Sequence, residues 1–118
     1  MTNRLYELVQ ELKSHFIDTA EYYEMNTSEV STSVMLHIDE TISLLNMAIF
    51  RLPNIENITE YNEKFQDLTQ NIEKIIKNIQ NNYTNVENIS NFINETNKAL
   101  NFVMGHVEPE EPWPREDT

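Results

Sequence analysis

The sequence predicts an all-α protein made of a helical hairpin, one long helix of the coiled-coil type and an extended acidic tail. Two segments near the amino end repeat apolar residues at the helical period, and an apolar heptad repeat then runs from Ile58 to Val103. After Gly105 the chain changes to acids and prolines. The 118 residues therefore divide into a helical domain, 1–105, with helices over about 3–24, 28–52 and 57–104, and a tail, 106–118.

The first helix, expected over about residues 3–24, carries apolar side chains at the i, i+3 and i+4 spacing that places them on one face. These residues are Leu5, Leu8, Val9, Leu12, Phe16, Ile17, Ala20 and Tyr23. Asn26 and Glu29 follow with the spacing of a capping box, which opens a helix by satisfying its free backbone N–H groups. This pair predicts a break and a second helix, and one bent continuous helix is the alternative.

The second helix, expected over about residues 28–52, should be the most buried of the three. Its apolar stripe consists of Met35, Ile38, Ile42, Leu45, Ile49 and Leu52, widened by Val34, Leu44, Ala48 and Phe50. Pro53 is expected to end the helix, because proline lacks an amide hydrogen and disfavours helical geometry in the residue before it.

The long helix, expected over about residues 57–104, has seven consecutive apolar residues at heptad position a. These are Ile58, Phe65, Ile72, Ile79, Val86, Ile93 and Leu100. Position d is apolar except at Asn82 and Thr96, which either fix the register between helices or merely weaken the seam. Asn57 with Glu60 has capping-box spacing, and Gly105 suits a left-handed C-cap.

A continuous helix over the heptad repeat, Ile58 to Val103, would span roughly 69 Å, whereas the first two helices reach only roughly 33 and 37 Å. Their hairpin would cover about half of the long helix, and soluble monomers rarely expose a large apolar stripe. We therefore expect self-association or a protein partner, either beside a three-helix bundle with a protruding coil or in a shared bundle. The expected partner-binding residues are Tyr83, Val86, Ile89, Phe92, Ile93, Leu100, Val103 and Trp113.

The sequence lacks the residues that several classes of catalytic, phosphate-binding and metal site require. The chain has no cysteine for thiol chemistry and a single glycine, too few for a phosphate-binding loop. His15, His37 and His106 show neither zinc-protease nor di-iron spacing. We expect no cofactor, no metal, no catalytic residue and hence no enzyme.

The net charge of −12 opposes direct binding to nucleic acid or to an anionic membrane, and permits a basic protein target. The most apolar stretch, Leu44 to Phe50, is too short to cross a bilayer. No secretory signal is apparent at the amino end, so we expect an intracellular, cytoplasmic protein.

Three functional hypotheses remain, and we prefer the first: a structural or adaptor subunit that joins a helical assembly through coiled-coil packing. The second is a small acidic inhibitor, of phage or mobile-element type, that blocks a basic nucleic-acid-binding surface. The third is a secretion chaperone or substrate built on a helical hairpin. In the tail, Trp113 between Pro112 and Pro114 is either a docking motif or part of a solubilising terminus.

Overall fold

A computed structural model describes residues 4–25, 31–55 and 59–106 of the chain. In these residues it contains four α-helices: α1 (Arg4–Met25), α2 (Thr32–Ile55), α3 (Asn62–Asn82) and α4 (Val86–His106). A short 3-10 turn, Thr59–Tyr61, precedes α3. The prediction of an all-α chain is confirmed for the described part.

The helices pack as two hairpins, α1–α2 and α3–α4, laid against each other. Helix α1 contacts α2 and α3, and α4 contacts the same two helices from the other side. Contacts from Arg4 to Glu73 and from Tyr23 to Tyr83 advance along both helices together, so α1 and α3 run in the same direction. This arrangement gives every helix two neighbours and the four helices one shared core.

The core takes a buried residue from nearly every turn of each helix. Its largest fully buried side chains are Tyr23, Phe16, Leu12, Ile38, Leu45, Leu52, Ile72, Ile79, Ile89, Leu100, Val9 and Val103. All lie on the apolar faces that the helical periods indicate.

The expectation of a single long helix is wrong, because the chain reverses between Asn82 and Val86. The side-chain oxygen of Asn85 accepts a hydrogen bond from the backbone N–H of Glu87 at 3.0 Å, the arrangement of an N-cap. The backbone N–H of Asn85 donates to the carbonyl of Asn82, also at 3.0 Å. The buried Tyr23 hydroxyl donates to the carbonyl of Tyr83 at 2.9 Å, which satisfies one backbone group that the turn frees.

Burial explains why the chain folds back. Each Ile, Leu or Phe that α4 places in the core contributes about 1.5–3 kcal/mol. Each helical hydrogen bond lost at the turn costs about 1 kcal/mol net, and part of that loss is recovered by the cap. With several large apolar residues on α4, burial outweighs helix continuity for a chain on its own.

Aromatic pairs pack at both ends of the α3–α4 hairpin, and the pair at the turn joins it to α1. At the turn, the rings of Tyr22 and Tyr83 meet edge to face with centroids 5.5 Å apart. At the open end, the ring of Phe102 lies 5.1 Å from that of Tyr61 and 5.8 Å from that of Phe65. Such pairs contribute about 0.5–1.5 kcal/mol beyond the area they bury.

Helix α2 differs from its expected bounds at both ends. Its N-cap is Ser31, whose hydroxyl accepts a hydrogen bond from the N–H of Val34 at 3.2 Å. The expected capping box of Asn26 and Glu29 lies outside the described residues. Pro53 does not end the helix, which continues to Ile55. Ile55 is buried, so packing holds a last turn in which the proline ring faces solvent.

The ends of the expected long helix also differ. Helix α3 begins at Asn62 with no side-chain cap, and the predicted cap residue Asn57 lies outside the described residues. Gly105 lies within α4 and not after its end, so the left-handed cap expected there is wrong. Glycine also tolerates helical geometry, and the helix continues to His106.

Neither polar residue at heptad position d pairs with another helix through a bond that would set a register. Asn82 donates from Nδ2 to the carbonyl of Asn78 in its own helix at 3.1 Å. The Thr96 hydroxyl is fully buried and has no hydrogen-bond partner. Both positions therefore fit the hypothesis that they merely weaken the seam better than the hypothesis that they fix its register.

Candidate interaction surface

The outer face of α2 exposes large apolar side chains. Phe50 is 80% exposed, Leu36 56% and Met47 43%. With the exposed Ser43 they form a series, Leu36, Ser43, Met47 and Phe50, separated by seven, four and three residues in turn. This spacing places all four on one face of the helix. We call these four residues the outer α2 stripe.

The stripe exists because α2 carries two apolar faces. The inward face is buried and consists of Ile38, Thr41, Leu45, Ala48, Leu52 and Ile55. At 100° per residue, the outer α2 stripe lies on the opposite side of the helix from this face. Packing among the described helices therefore explains the first face and leaves the second uncovered.

The electrostatics of the stripe are uneven. The stretch from Thr41 to Phe50 has no charged residue. The amino half is edged by Asp39 and Glu40, and the Glu40 carboxylate lies 3.1 Å from Nδ1 of His37. At the carboxyl end, Arg51 turns away from the stripe and donates to the carbonyl of Met104 at 3.3 Å. Among the described residues of α2, the fixed charges beside the stripe are therefore acidic.

A different face, on α1, is acidic rather than apolar. Glu7, Glu11, Asp18 and Glu21 are exposed and lie along one side of the helix. Helix α1 carries five carboxylates against Arg4 and Lys13, whereas α3 has three of each sign. The acidic surface of the four helices is thus concentrated on α1. The four helices and the turn before α3 carry half of the net charge of −12, and the other half belongs to residues outside the described part.

An open groove of about 600 Å³ lies between α1 and α3. Its rim carries both signs of charge, and the guanidinium of Arg4 lies 3.0 Å from the carboxylate of Glu73. Both of these side chains are largely exposed, so the pair contributes little to stability. The groove therefore combines an apolar floor at Leu8 and Ile76 with a solvated, mixed-charge rim.

The structure places most of the predicted partner-binding residues inside the chain's own core. Ile89, Phe92, Ile93, Leu100 and Val103 are all buried against neighbouring helices.

Of the remaining predicted residues, Val86 is half-buried, Tyr83 is 36% exposed in the turn, and Trp113 lies outside the described residues. The premise for a partner on α4, a stripe that the rest of the chain cannot cover, is corrected by the turn that folds α4 back.

Sequence reasoning missed the outer α2 stripe. Phe50 was expected to widen the buried face, and Leu36 and Met47 were assigned to no face. The available signal was the second seam in the same helix, Leu36, Ser43 and Phe50 at heptad intervals without intervening lysine or arginine. A helix that is apolar on two sides predicts a neighbour on each.

None of the described helices combines the length and apolar character that crossing a bilayer requires. Within the same residues, no three His, Asp or Glu side chains converge as ligands of a metal ion would.

Comparison with known proteins adds no relative: no family model matches the chain, and neither curated proteins nor solved structures give a significant match. The functional argument therefore rests on the geometry of the chain itself.

Proposed function

We propose that this protein is a non-enzymatic adaptor or structural subunit that docks an amphipathic helix of a protein partner on the outer α2 stripe. The observation that carries the proposal is the exposure of Leu36, Met47 and Phe50 along one side of a helix whose other side already fills the core. This revises the expected interface from α4 to α2 and keeps the expected class of protein.

A helix is the partner that fits the stripe best. From Leu36 to Phe50 the stripe extends roughly 21 Å along α2, or about four helical turns. Its spacing is that of a coiled-coil seam in which Glu40 occupies the position between Leu36 and Ser43, and Ser43 is a small residue where a facing helix can approach closely. A partner helix in this position contacts the stripe with its own apolar side chains at positions i, i+3 or i+4, and i+7.

The charges beside the stripe indicate the chemistry of that helix. Asp39 and Glu40 favour lysine or arginine at its flanks, and the overall charge of −12 favours a basic partner at longer range. Covering the three apolar side chains contributes about 1.5–3 kcal/mol for each one that becomes fully buried. That total suits a reversible interaction, since association itself costs at least about 4 kcal/mol.

A designed peptide pair tests this function. One amphipathic helix carries leucines on one face and lysines at its flanks, and a matched peptide carries glutamates at the same flanks. We expect the lysine peptide to bind more tightly and to shift the amide resonances of residues 36–50 in heteronuclear NMR. The triple variant Leu36→Ser, Met47→Ser, Phe50→Ser should abolish binding without lowering the unfolding temperature.

Met25→Ser is the matched control, because Met25 is 84% exposed but lies on α1 away from the stripe. It should leave binding unchanged. Undiminished binding of the lysine peptide to the triple variant would rule out the stripe as the docking surface.

The acidic face of α1 supports a second function, the blocking of a basic nucleic-acid-binding surface. Glu7, Glu11, Asp18 and Glu21 follow one another over roughly 21 Å with no lysine or arginine between them on that side of α1. Such a face would compete with a phosphate backbone in a salt-dependent way. Neutralising the four carboxylates to amides should abolish salt-sensitive competition with DNA for a basic nuclease, while the triple serine variant should still compete.

A further inference from the structure

The turn between α3 and α4 coincides with a symmetry centre of the heptad repeat. Ile79 and Ile89 lie five positions on either side of Thr84, and Ile75 and Ile93 lie nine. Further out, Leu68 and Leu100 lie sixteen positions away. All these residues are buried. Because antiparallel helices bring together residues equidistant from their turn, each pair falls in the same layer of the hairpin.

The symmetry has a consequence for two copies of the chain. If α3 and α4 ran on as one helix, two such helices could pack antiparallel about a two-fold axis at Thr84. Each layer would then contain the same residue pair as the hairpin, one member from each copy. Heptad repeats favour packing between two such helices. The same apolar pattern therefore fits both the hairpin within one chain and the antiparallel pair of long helices from two chains.

The backbone of the turn is already close to helical. Tyr83 has φ −67° and ψ −20°, which lies in the right-handed helical region. No described residue has a positive φ, and the turn from Tyr83 to Asn85 contains neither glycine nor proline. A continuous helix therefore requires new backbone angles chiefly at Thr84 and Asn85. The bonds that resist it are the Asn85 cap and the hydrogen bond from Tyr23 to the Tyr83 carbonyl.

We propose that the α3–α4 hairpin opens at residues 83–85 into one helix and that two copies exchange their α4 helices. The helix from Asn62 to His106 is then roughly 68 Å long. Each α4 packs on α2 and α3 of the second copy, and an α1–α2 hairpin covers each end of the central pair. The exchanged dimer restores the long helix that the heptads predict and leaves no part of the α3–α4 heptad seam bare.

The second copy is the occupant because it is the partner that reproduces every buried contact of α4. The face exchanged includes Ile89, Phe92, Ile93, Leu100 and Val103, each of which is buried in the single chain. An interface of this kind resembles a domain core divided between two chains, which is typical of stable homodimers. Exchange of an identical element through a short hinge is a low-cost route to such a dimer. The proposal is independent of docking at α2, whose outer face stays exposed in both states.

Hinge variants test the exchange. Thr84→Ala with Asn85→Ala removes the cap and favours helix, and each dimer contains two hinges. We therefore expect the dimer association constant to rise roughly thirtyfold over that of the unaltered chain. Thr84→Gly is the matched control, because glycine disfavours helix at the hinge and should lower dimerisation. Samples are unfolded and refolded at a series of concentrations, and mass is measured by light scattering after size exclusion.

Paired spin labels identify the exchange itself. The chain has no cysteine, so Lys64→Cys and Asn101→Cys can be labelled cleanly. In the hairpin these sites lie near each other, since Lys64 Nζ is 5.7 Å from the Phe102 ring centroid. In one continuous helix they are roughly 55 Å apart. Dilution with unlabelled protein should therefore remove the short distance from the dimer and retain the long one.

The outcomes are distinct. A long intrachain distance in a dimer of the hinge variant supports the exchange. A folded hinge variant that stays monomeric at every concentration overturns it, as does a dimer in which the short distance survives dilution. If the double variant does not fold, Thr84→Ala alone, with the Asn85 cap intact, carries the same test.

Discussion

At the scale of single residues, three buried threonines differ in what their hydroxyls do. Thr19 on α1 donates to the carbonyl of His15 at 2.8 Å, so its hydroxyl is satisfied. Thr41 on α2 and Thr96 on α4 are equally buried, and their hydroxyls have no hydrogen-bond partner. A buried hydroxyl without a partner costs about 1–3 kcal/mol, so these two positions lower the stability of an otherwise apolar core.

Replacing either unsatisfied threonine by valine should stabilise the fold, because valine has nearly the same shape and no polar group to desolvate. We expect Thr41→Val and Thr96→Val each to raise the free energy of unfolding by about 1 kcal/mol. Thr19→Val, which loses a hydrogen bond at a comparably buried position, should not stabilise. Urea denaturation followed by circular dichroism provides the measurement, and a stability loss in Thr96→Val would show that its hydroxyl has a partner.

At the scale of the helices, the α4 N-cap defines where the long apolar repeat is broken. Asn85→Ala should lower the free energy of unfolding of the monomer by about 1 kcal/mol, through loss of the bond to the Glu87 N–H. Asn81→Ala is the control, since Asn81 is exposed in the last turn of α3 and alanine is the better helix former. Measured at low protein concentration, an unchanged stability in Asn85→Ala would remove the cap as the cause of the break.

The helices also show what the sequence could and could not predict. The first helix was predicted over about residues 3–24, within one residue of Arg4–Met25, because its apolar period is regular. The turn at Tyr83 was missed because a heptad repeat that is symmetric about Thr84 is unchanged when the chain reverses there. Periodicity tells which face is buried and not which element covers it. The adjacent weak helix formers Asn81, Asn82, Thr84 and Asn85 were the remaining signal.

At the scale of the whole molecule, one core joins all four helices, so the cost of truncating a large apolar residue should depend sharply on whether it lies in that core. Leu100 on α4 is fully buried, whereas Phe50 on α2 is 80% exposed. Leu100→Ala removes burial and leaves a cavity beside α2 and α3, and we expect a loss of about 2–5 kcal/mol. Phe50→Ala removes a side chain that already faces water, and the expected change is within about 0.5 kcal/mol.

This comparison distinguishes a chain that folds as a monomer from a chain that requires a partner to bury α4. Both variants are measured by denaturation at a concentration where light scattering gives the monomer mass. If α4 packs in its own chain, Leu100→Ala lowers the unfolding midpoint strongly even in the monomer. If α4 instead stayed exposed until a partner bound, the monomer would tolerate Leu100→Ala as well as Phe50→Ala, because neither side chain would be buried before binding.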